Sequence, residues 1–165
     1  MRMRLGLVAV VAGLAGWIAG GGTLATASPT ADESAQTFRL HEFVIKTILL
    51  QEKPGTNSPG DQLIFHSVLK TGVGETVGVS DYSCLILNPS SSGPAHVVGH
   101  CTGTVTFTDH STIEFSGAFN NVSNNTTLAL IGGTGRYSAI EGQVFVKSLN
   151  GAAATKLLDT FKVAG

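Results

Sequence analysis

Ile131-Gly132-Gly133-Thr134-Gly135-Arg136-Tyr137-Ser138-Ala139-Ile140-Glu141-Gly142-Gln143-Val144 puts three glycines within four residues, between two apolar runs. The backbone must turn there in conformations that a Cβ would obstruct. The residues after the glycines exclude a phosphate-binding loop. No Lys-Ser/Thr pair succeeds them, and Gln143-Val144-Phe145-Val146-Lys147 is β-branched rather than helical in pattern. The stretch reads as a strand-to-strand corner in a curved sheet.

Working outward from this corner, short β-rich runs recur with turn residues between them. They cover residues 38–50, 62–70, 76–87, 96–108, 112–119, 126–131, 142–149 and 156–163. The punctuation is Pro54-Gly55, Pro59-Gly60, residues 72–74, 88–94, Asp109-His110-Ser111, residues 120–125, the glycine corner and Asn150-Gly151. Eight runs without helical periodicity predict an all-β sandwich or barrel. In the fourth run Val97, Gly99, Cys101, Gly103, Val105 and Phe107 share one face, and His100 with Thr102, Thr104, Thr106 and Thr108 forms the other. One apolar and one wet face suit a small closed antiparallel barrel. Inward glycines leave room for a ligand, although a lumen filled by side chains is equally compatible with the pattern.

The ends of the chain carry different information. Met1-Arg2-Met3-Arg4, the apolar run after it and Ala25-Thr26-Ala27 form an export signal, residues 1–27, cleaved after Ala27. A membrane anchor is the rival reading, and the apolar run is short for a span of about 20 residues. Residues 28–37 are small, polar and acidic and read as a disordered leader, leaving residues 38–165 as one domain. Charged residues make up 13% and the formal net charge is −1, which argues against a nucleic-acid or anionic-membrane footprint. An exported chain with two cysteines, Cys84 and Cys101, is expected to join them, and the pairing centres a hairpin turn near Ser92 and Gly93. The expected location is secreted.

Polar residues on inward faces are the candidates for chemistry. Alternation sends Ser67 inward beside Phe65, and Tyr82 inward with Cys84. It sends Asp159 inward between Leu157 and Phe161. The first run is ambiguous, because both of its faces are apolar. His96 and His100 lie four apart on a strand with no acidic partner in the pattern, so no metal is expected. No Gly-x-Ser-x-Gly elbow supports a serine hydrolase. Sequons at Asn121, Asn124 and Asn125 matter only in a eukaryotic secretory route.

From Gly60 onward the chain resembles allene oxide cyclases, with a related corner in dirigent proteins. The resemblance rests on Gly60-Asp61-Gln62-Leu63-Ile64-Phe65, on Val77-Gly78-Val79 with Cys84, on Phe107-Thr108-Asp109 through Gly117-Ala118-Phe119, and on the glycine corner ending in Gly142-Gln143-Val144. It implies an eight-stranded antiparallel barrel that binds apolar small molecules without cofactor or metal, commonly in homotrimers. It also implies that Glu42, in His41-Glu42, matches the first-strand glutamate that polarises substrate in the cyclases. Other parts of that constellation are missing: Val44 stands at the asparagine position, and Ile48-Leu49-Leu50 occupies the Ser-Pro region. Ser67 is similar in placement to a second-strand asparagine.

Alternation predicts a barrel, and the resemblance implies Glu42 as its catalytic acid or base. Ser67, Tyr82, Phe65, Phe107, Phe115 and Asp159 are its ligand-contacting residues. The activity expected is that of a cofactor-free cyclase or isomerase. A non-catalytic dirigent-like guide or carrier of hydrophobic or aromatic molecules is the alternative, and under either reading the protein is allowed to form a homodimer or homotrimer. A plugged structural barrel is the third.

Overall fold

The computed structural model describes residues 36–55, 57–89, 97–120 and 123–164. Eight strands, β1 (Gln36–Leu50), β2 (Gln62–Lys70), β3 (Thr76–Pro89), β4 (Val97–Phe107), β5 (Thr112–Asn120), β6 (Asn125–Thr134), β7 (Glu141–Ser148) and β8 (Lys156–Ala164), succeed one another in space as in sequence. Each pairs antiparallel with the next, and β8 returns to β1, closing the barrel. Closure removes every free sheet edge, the main hazard of an all-β chain.

Most strand ends shift by a residue or two from the sequence reading, and two of the differences matter. Gln36 and Thr37, assigned to the leader, pair with Val163 and Lys162 and belong to β1. The cleavage site and the rest of the leader lie outside the described residues, as do the expected turn at Ser92 and Gly93, His96, and the sequon at Asn121. The glycine corner is also partly strand. β6 pairs with β7 as far as Leu130↔Gly142, then continues through Gly132, Gly133 and Thr134 against β5 alone. At Gly133 a Cβ would lie 2.6 Å from the Tyr137 carbonyl oxygen, so only glycine lets the strand fold back this tightly. A 3₁₀ turn, Gly135–Tyr137, completes the corner.

The ambiguity of the first run has a local cause. A bulge between Val44 and Lys46 shifts the register of β1 against β2. One extra residue reverses the alternation, so a simple odd–even reading could not hold along the whole strand. Glu42 pairs opposite Leu69 on the inner side, whereas Ile48 and Leu50 beyond the bulge are exposed.

The barrel's two halves differ. Around the β2–β3, β4–β5 and β6–β7 turns the interior is packed by a core that includes Leu40, Leu69, Phe107, Ile113, Leu130 and Phe161. Phe38 stacks on Phe161 with ring centroids 4.7 Å apart, and Arg136 lies over the rings of Phe107 and Tyr137 at 5.0 and 4.9 Å. Arg136 also reaches Asp109 in the β4–β5 turn, 3.4 Å away. Toward the opposite end the alternation continues through Thr47, Leu49, Leu63, Phe65 and Tyr82, and these inward positions are exposed or only half-buried. Cys84, Ile86 and Cys101 on the same stretch are buried, so the interior is tightly packed at one end and only partly accessible at the other.

Cys84 and Cys101 face each other across β3 and β4 and are joined by a disulfide with a Cα–Cα distance of 4.0 Å. Both are buried on the inner side of the wall, near the accessible end. The loop before β2 is braced by buried Asp61, whose carboxylate accepts from the backbone N–H groups of Glu52 (2.9 Å) and Ser58 (2.8 Å). The Asp61 carbonyl also extends the sheet by accepting from the backbone N–H of Ile86.

Candidate functional site

Above the packed core, four polar side chains from β1, β2, β3 and β8 converge: Glu42, Ser67, Tyr82 and Asp159. Their positions are set by the ladders. Glu42 lies between Leu69 of β2 and Leu157 of β8, and Asp159 lies opposite Leu40 of β1 and Val146 of β7. Ser67 pairs with Ser80 and Phe65 with Tyr82. Glu42 is 4% exposed, Asp159 3% and Ser67 0%. Carboxylates are rarely buried to this extent without a partner.

Here the partners are one another, and they leave single atoms unsatisfied. Glu42 Oε1, Ser67 Oγ and Asp159 Oδ1 are buried and make no hydrogen bond of regular geometry. The four groups are nevertheless near enough to influence one another's protonation. Burial pushes the Glu42 carboxyl up, partly offset by hydrogen-bonding interactions with Ser67, Asp159 and Tyr82. Asp159 is raised well above the carboxylate range, first by burial and then by the neighbouring Glu42 charge. The Tyr82 hydroxyl is raised by burial and by both carboxylates. Two buried acids side by side cannot both ionise cheaply, so the pair retains a proton where isolated carboxyls would have lost theirs. A carboxyl that keeps its proton above the ordinary range can donate it, and an ionised neighbour can accept one.

The acids should be visible in stability. In the unfolded chain both carboxyls titrate in the ordinary range, whereas in the barrel they hold their protons to higher pH. Between those two limits the folded state carries more protons than the unfolded one, so stability falls as pH rises through the window. Each group contributes a slope of up to about 1.4 kcal/mol per pH unit. Chemical denaturation from pH 4 to pH 9 should show this decline in the native sequence. It should be flatter in Asp159→Asn, whose amide cannot ionise; parallel pH profiles would refute the assignment.

Aromatic rings line one side of the cluster. Phe65 stacks on Tyr82 at 4.7 Å with an interplanar angle of 19°, and Phe115 is tilted against Tyr82 at 6.0 Å. Space for these rings comes from Gly103, opposite Tyr82, where a Cβ would come within 2.7 Å of the Phe115 ring. Phe107, expected among the ligand contacts, instead packs at the closed end against Tyr137, centroids 5.0 Å apart. Its position near the end of β4 puts it beyond the polar cluster, a longitudinal difference that alternation alone cannot express. Ser80, fully inward beside Ser67, was signalled by the same alternation and adds a hydroxyl to this wall.

The remaining polar groups lie elsewhere. His66 Nδ1 is 2.6 Å from Asp81 Oδ1, and His100 Nε2 is 2.8 Å from Ser116 Oγ; both pairs are on the exposed outer face. Among the described residues no three His, Cys, Asp or Glu side chains are grouped to hold a metal ion. An open groove of about 550 Å³ beside the corner, lined by residues including Ile131, Ser138 and Glu141, contains none of the four lumen groups.

These features define a class: a single closed eight-stranded barrel, plugged at one end, with an acidic polar cluster and aromatic walls toward the other. Solved barrels of cyclase-like and dirigent type share this fold. A pyocyanin demethylase superimposes with a TM-score of 0.66 at 23% identity, covering 78% of this chain and 99% of its own. The Diels-Alderase AbmU from Streptomyces koyangensis gives 0.62 at 23% identity, over 81% of this chain and 69% of its own. A pterocarpan synthase dirigent protein gives 0.61 at 15% identity, over 79% and 94%. At these identities the likeness establishes the fold. No protein-family profile and no curated protein sequence matches the chain.

Proposed function

We propose that this protein is an exported, cofactor-independent cyclase or isomerase of the allene oxide cyclase-like kind, which binds a largely apolar small molecule in the accessible half of the barrel. The observation that carries the reading is the buried Glu42–Asp159 pair, with unpartnered oxygens, set beside an aromatic wall. In this reading the shared proton polarises a substrate oxygen or nitrogen, and the acid left without it accepts a proton from carbon or a heteroatom later in the same turnover. Glu42 is the acid or base, and Ser67 and Tyr82 orient the polar atom. The aromatic rings hold the apolar body in one reactive conformer, so positioning supplies much of the rate. Export is supported by the leader and by the Cys84–Cys101 disulfide, which persists in oxidising surroundings.

A cyclisation or isomerisation leaves mass unchanged, which gives a direct test. Protein purified from its own source is examined by native mass spectrometry for a retained molecule. A small-molecule extract of that source is then incubated with the native protein and with Glu42→Gln, and monitored by liquid chromatography and mass spectrometry. The native protein should convert one component into an isobaric product of different retention. Glu42→Gln should do so about 100-fold more slowly or worse while still retaining ligand. Retention without any isobaric conversion would favour the dirigent-like or carrier reading, in which the same lumen guides or transports its ligand. Failure to retain anything, with no conversion, would overturn both.

A further inference from the structure

We propose that the ligand's polar head is a cationic nitrogen on a flat aromatic body, and that Glu42 and Asp159 act together as its counter-charge and as the filter that rejects carboxylates. This deepens the preceding reading and rests on the barrel interior being the ligand site.

Charge balance points first to a cation. Glu42 and Asp159 are acceptors when ionised, and each presents a buried oxygen without a partner. Every lysine and arginine among the described residues lies in a loop or on the outer face. The most covered of them, Lys70, lies over the outward ring of Phe43 at 5.6 Å. The interior therefore holds acidic groups and no basic one to balance them. A buried carboxyl without a counterpart holds its proton, and a ligand that brings a positive charge supplies that counterpart and lets the carboxyl ionise.

The shape of the wall points the same way. Tyr82 adjoins both acids, Phe65 stacks on it and Phe115 is tilted against it, so an aromatic wall begins at the acids. A flat ring fits such a wall, and aromatic faces favour a delocalised cation over a neutral ring of the same size. An anionic head, such as the carboxylate of a fatty acid, would face the same acids and be repelled.

Protonation links the two. The groups facing Glu42 are Ser67 from β2, Tyr82 from β3 and Asp159 from β8. Among the described residues no histidine, lysine or arginine faces it from these elements or from β7. Because both carboxyls hold protons above the usual range, a bound cation displaces a proton, and its affinity rises with pH.

The test uses N-methylquinolinium, its near-isosteric neutral counterpart 1-methylnaphthalene, and 1-naphthoate, each monitored by its own fluorescence on titration with the full exported protein. N-methylquinolinium should bind at least about tenfold more tightly than 1-methylnaphthalene. The preference should grow from pH 5 to pH 8, and 1-naphthoate should bind weakest. Calorimetry in two buffers of different ionisation enthalpy should detect proton release on cation binding, a readout that needs no variant. In Glu42→Gln/Asp159→Asn, with folding confirmed by circular dichroism, the ratio of cation to neutral-ring affinity should fall to about one. Equal affinity of cation and neutral ring would overturn the inference and leave the ligand site standing. Binding of none of the three would overturn both. A preference that survives the double substitution would place the cation on the outer face and likewise overturn it.

Discussion

Gly142→Ala should destabilise the barrel by about 3–5 kcal/mol, combining left-handed backbone strain with a steric overlap in a packed wall. Gly142 has φ +136°, a conformation that side-chain-bearing residues rarely adopt. A Cβ there would overlap the carbonyl oxygen of Lys162 and lie 3.2 Å from the Cα of Val163, both in the neighbouring β8. Backbone on a paired strand cannot rotate aside as a flexible side chain would. β7 is bonded on both sides at this point, to Leu130 and to Val163, so the strain reaches the closure of the barrel. Denaturant unfolding should show the loss in midpoint, with a melting temperature lower by roughly 10 °C or more. Gly72 supplies the control: it has ordinary φ and nothing near its missing Cβ, so Gly72→Ala should change stability by no more than about 0.5 kcal/mol. Equal effects at the two positions would contradict the geometry of the corner.

Replacing both cysteines by alanine should lower stability by about 3 kcal/mol, the chain-entropy value for a closed loop of this size. Cys84 and Cys101 are 17 residues apart in sequence and directly opposite in the ladder. The bond ties β3 to β4 at the accessible end, where the hydrophobic core that holds the other end does not extend. Its loss should therefore be felt most in that part of the wall. Hydrogen exchange should accelerate around Leu85 and His100 before it changes at Val105 or Ile113. Reduction of the native protein should reproduce the denaturation shift. An unchanged midpoint in both experiments would mean that the two sulfurs are not bonded in solution.

Both predictions bear on the candidate site. Gly142 belongs to the curved end that packs the core beneath the acids, and the disulfide stiffens the wall around the accessible half. Buried carboxyls with raised proton affinity persist only where the surrounding fold is stable enough to carry their cost. The packed end supplies that stability, and the site can then remain incompletely paired.

Much of the fold was legible in the order of residues. Period-two alternation, with glycine, proline and asparagine as punctuation, was sufficient for eight strands and their antiparallel succession, because a residue's side of a sheet depends only on its parity along an unbroken strand. The same parity turned Ser67 and Asp159 inward, and the expected Cys84–Cys101 pairing fixed the facing that turned Tyr82 inward. It failed where parity itself fails. The bulge after Val44 in β1 inserts a residue, and no local signal in Val44-Ile45-Lys46 announces it. The strand-like course of Gly132 and Gly133 was hidden because glycine's usual reading is a turn.

Height along the barrel lay beyond sequence altogether. Whether an inward side chain joins the packed core, as Phe107 does, or the polar cluster, as Tyr82 does, depends on the stagger of eight tilted strands relative to one another. The convergence of Glu42 from β1 with Asp159 from β8 is of the same kind: residues more than a hundred positions apart become neighbours because the last strand closes on the first. Their raised proton affinity is a consequence of that closure, since water is excluded only once the ring of strands is complete. Residue order dictated the strands and their faces; the closed tertiary structure alone decided which buried groups would have to share a proton.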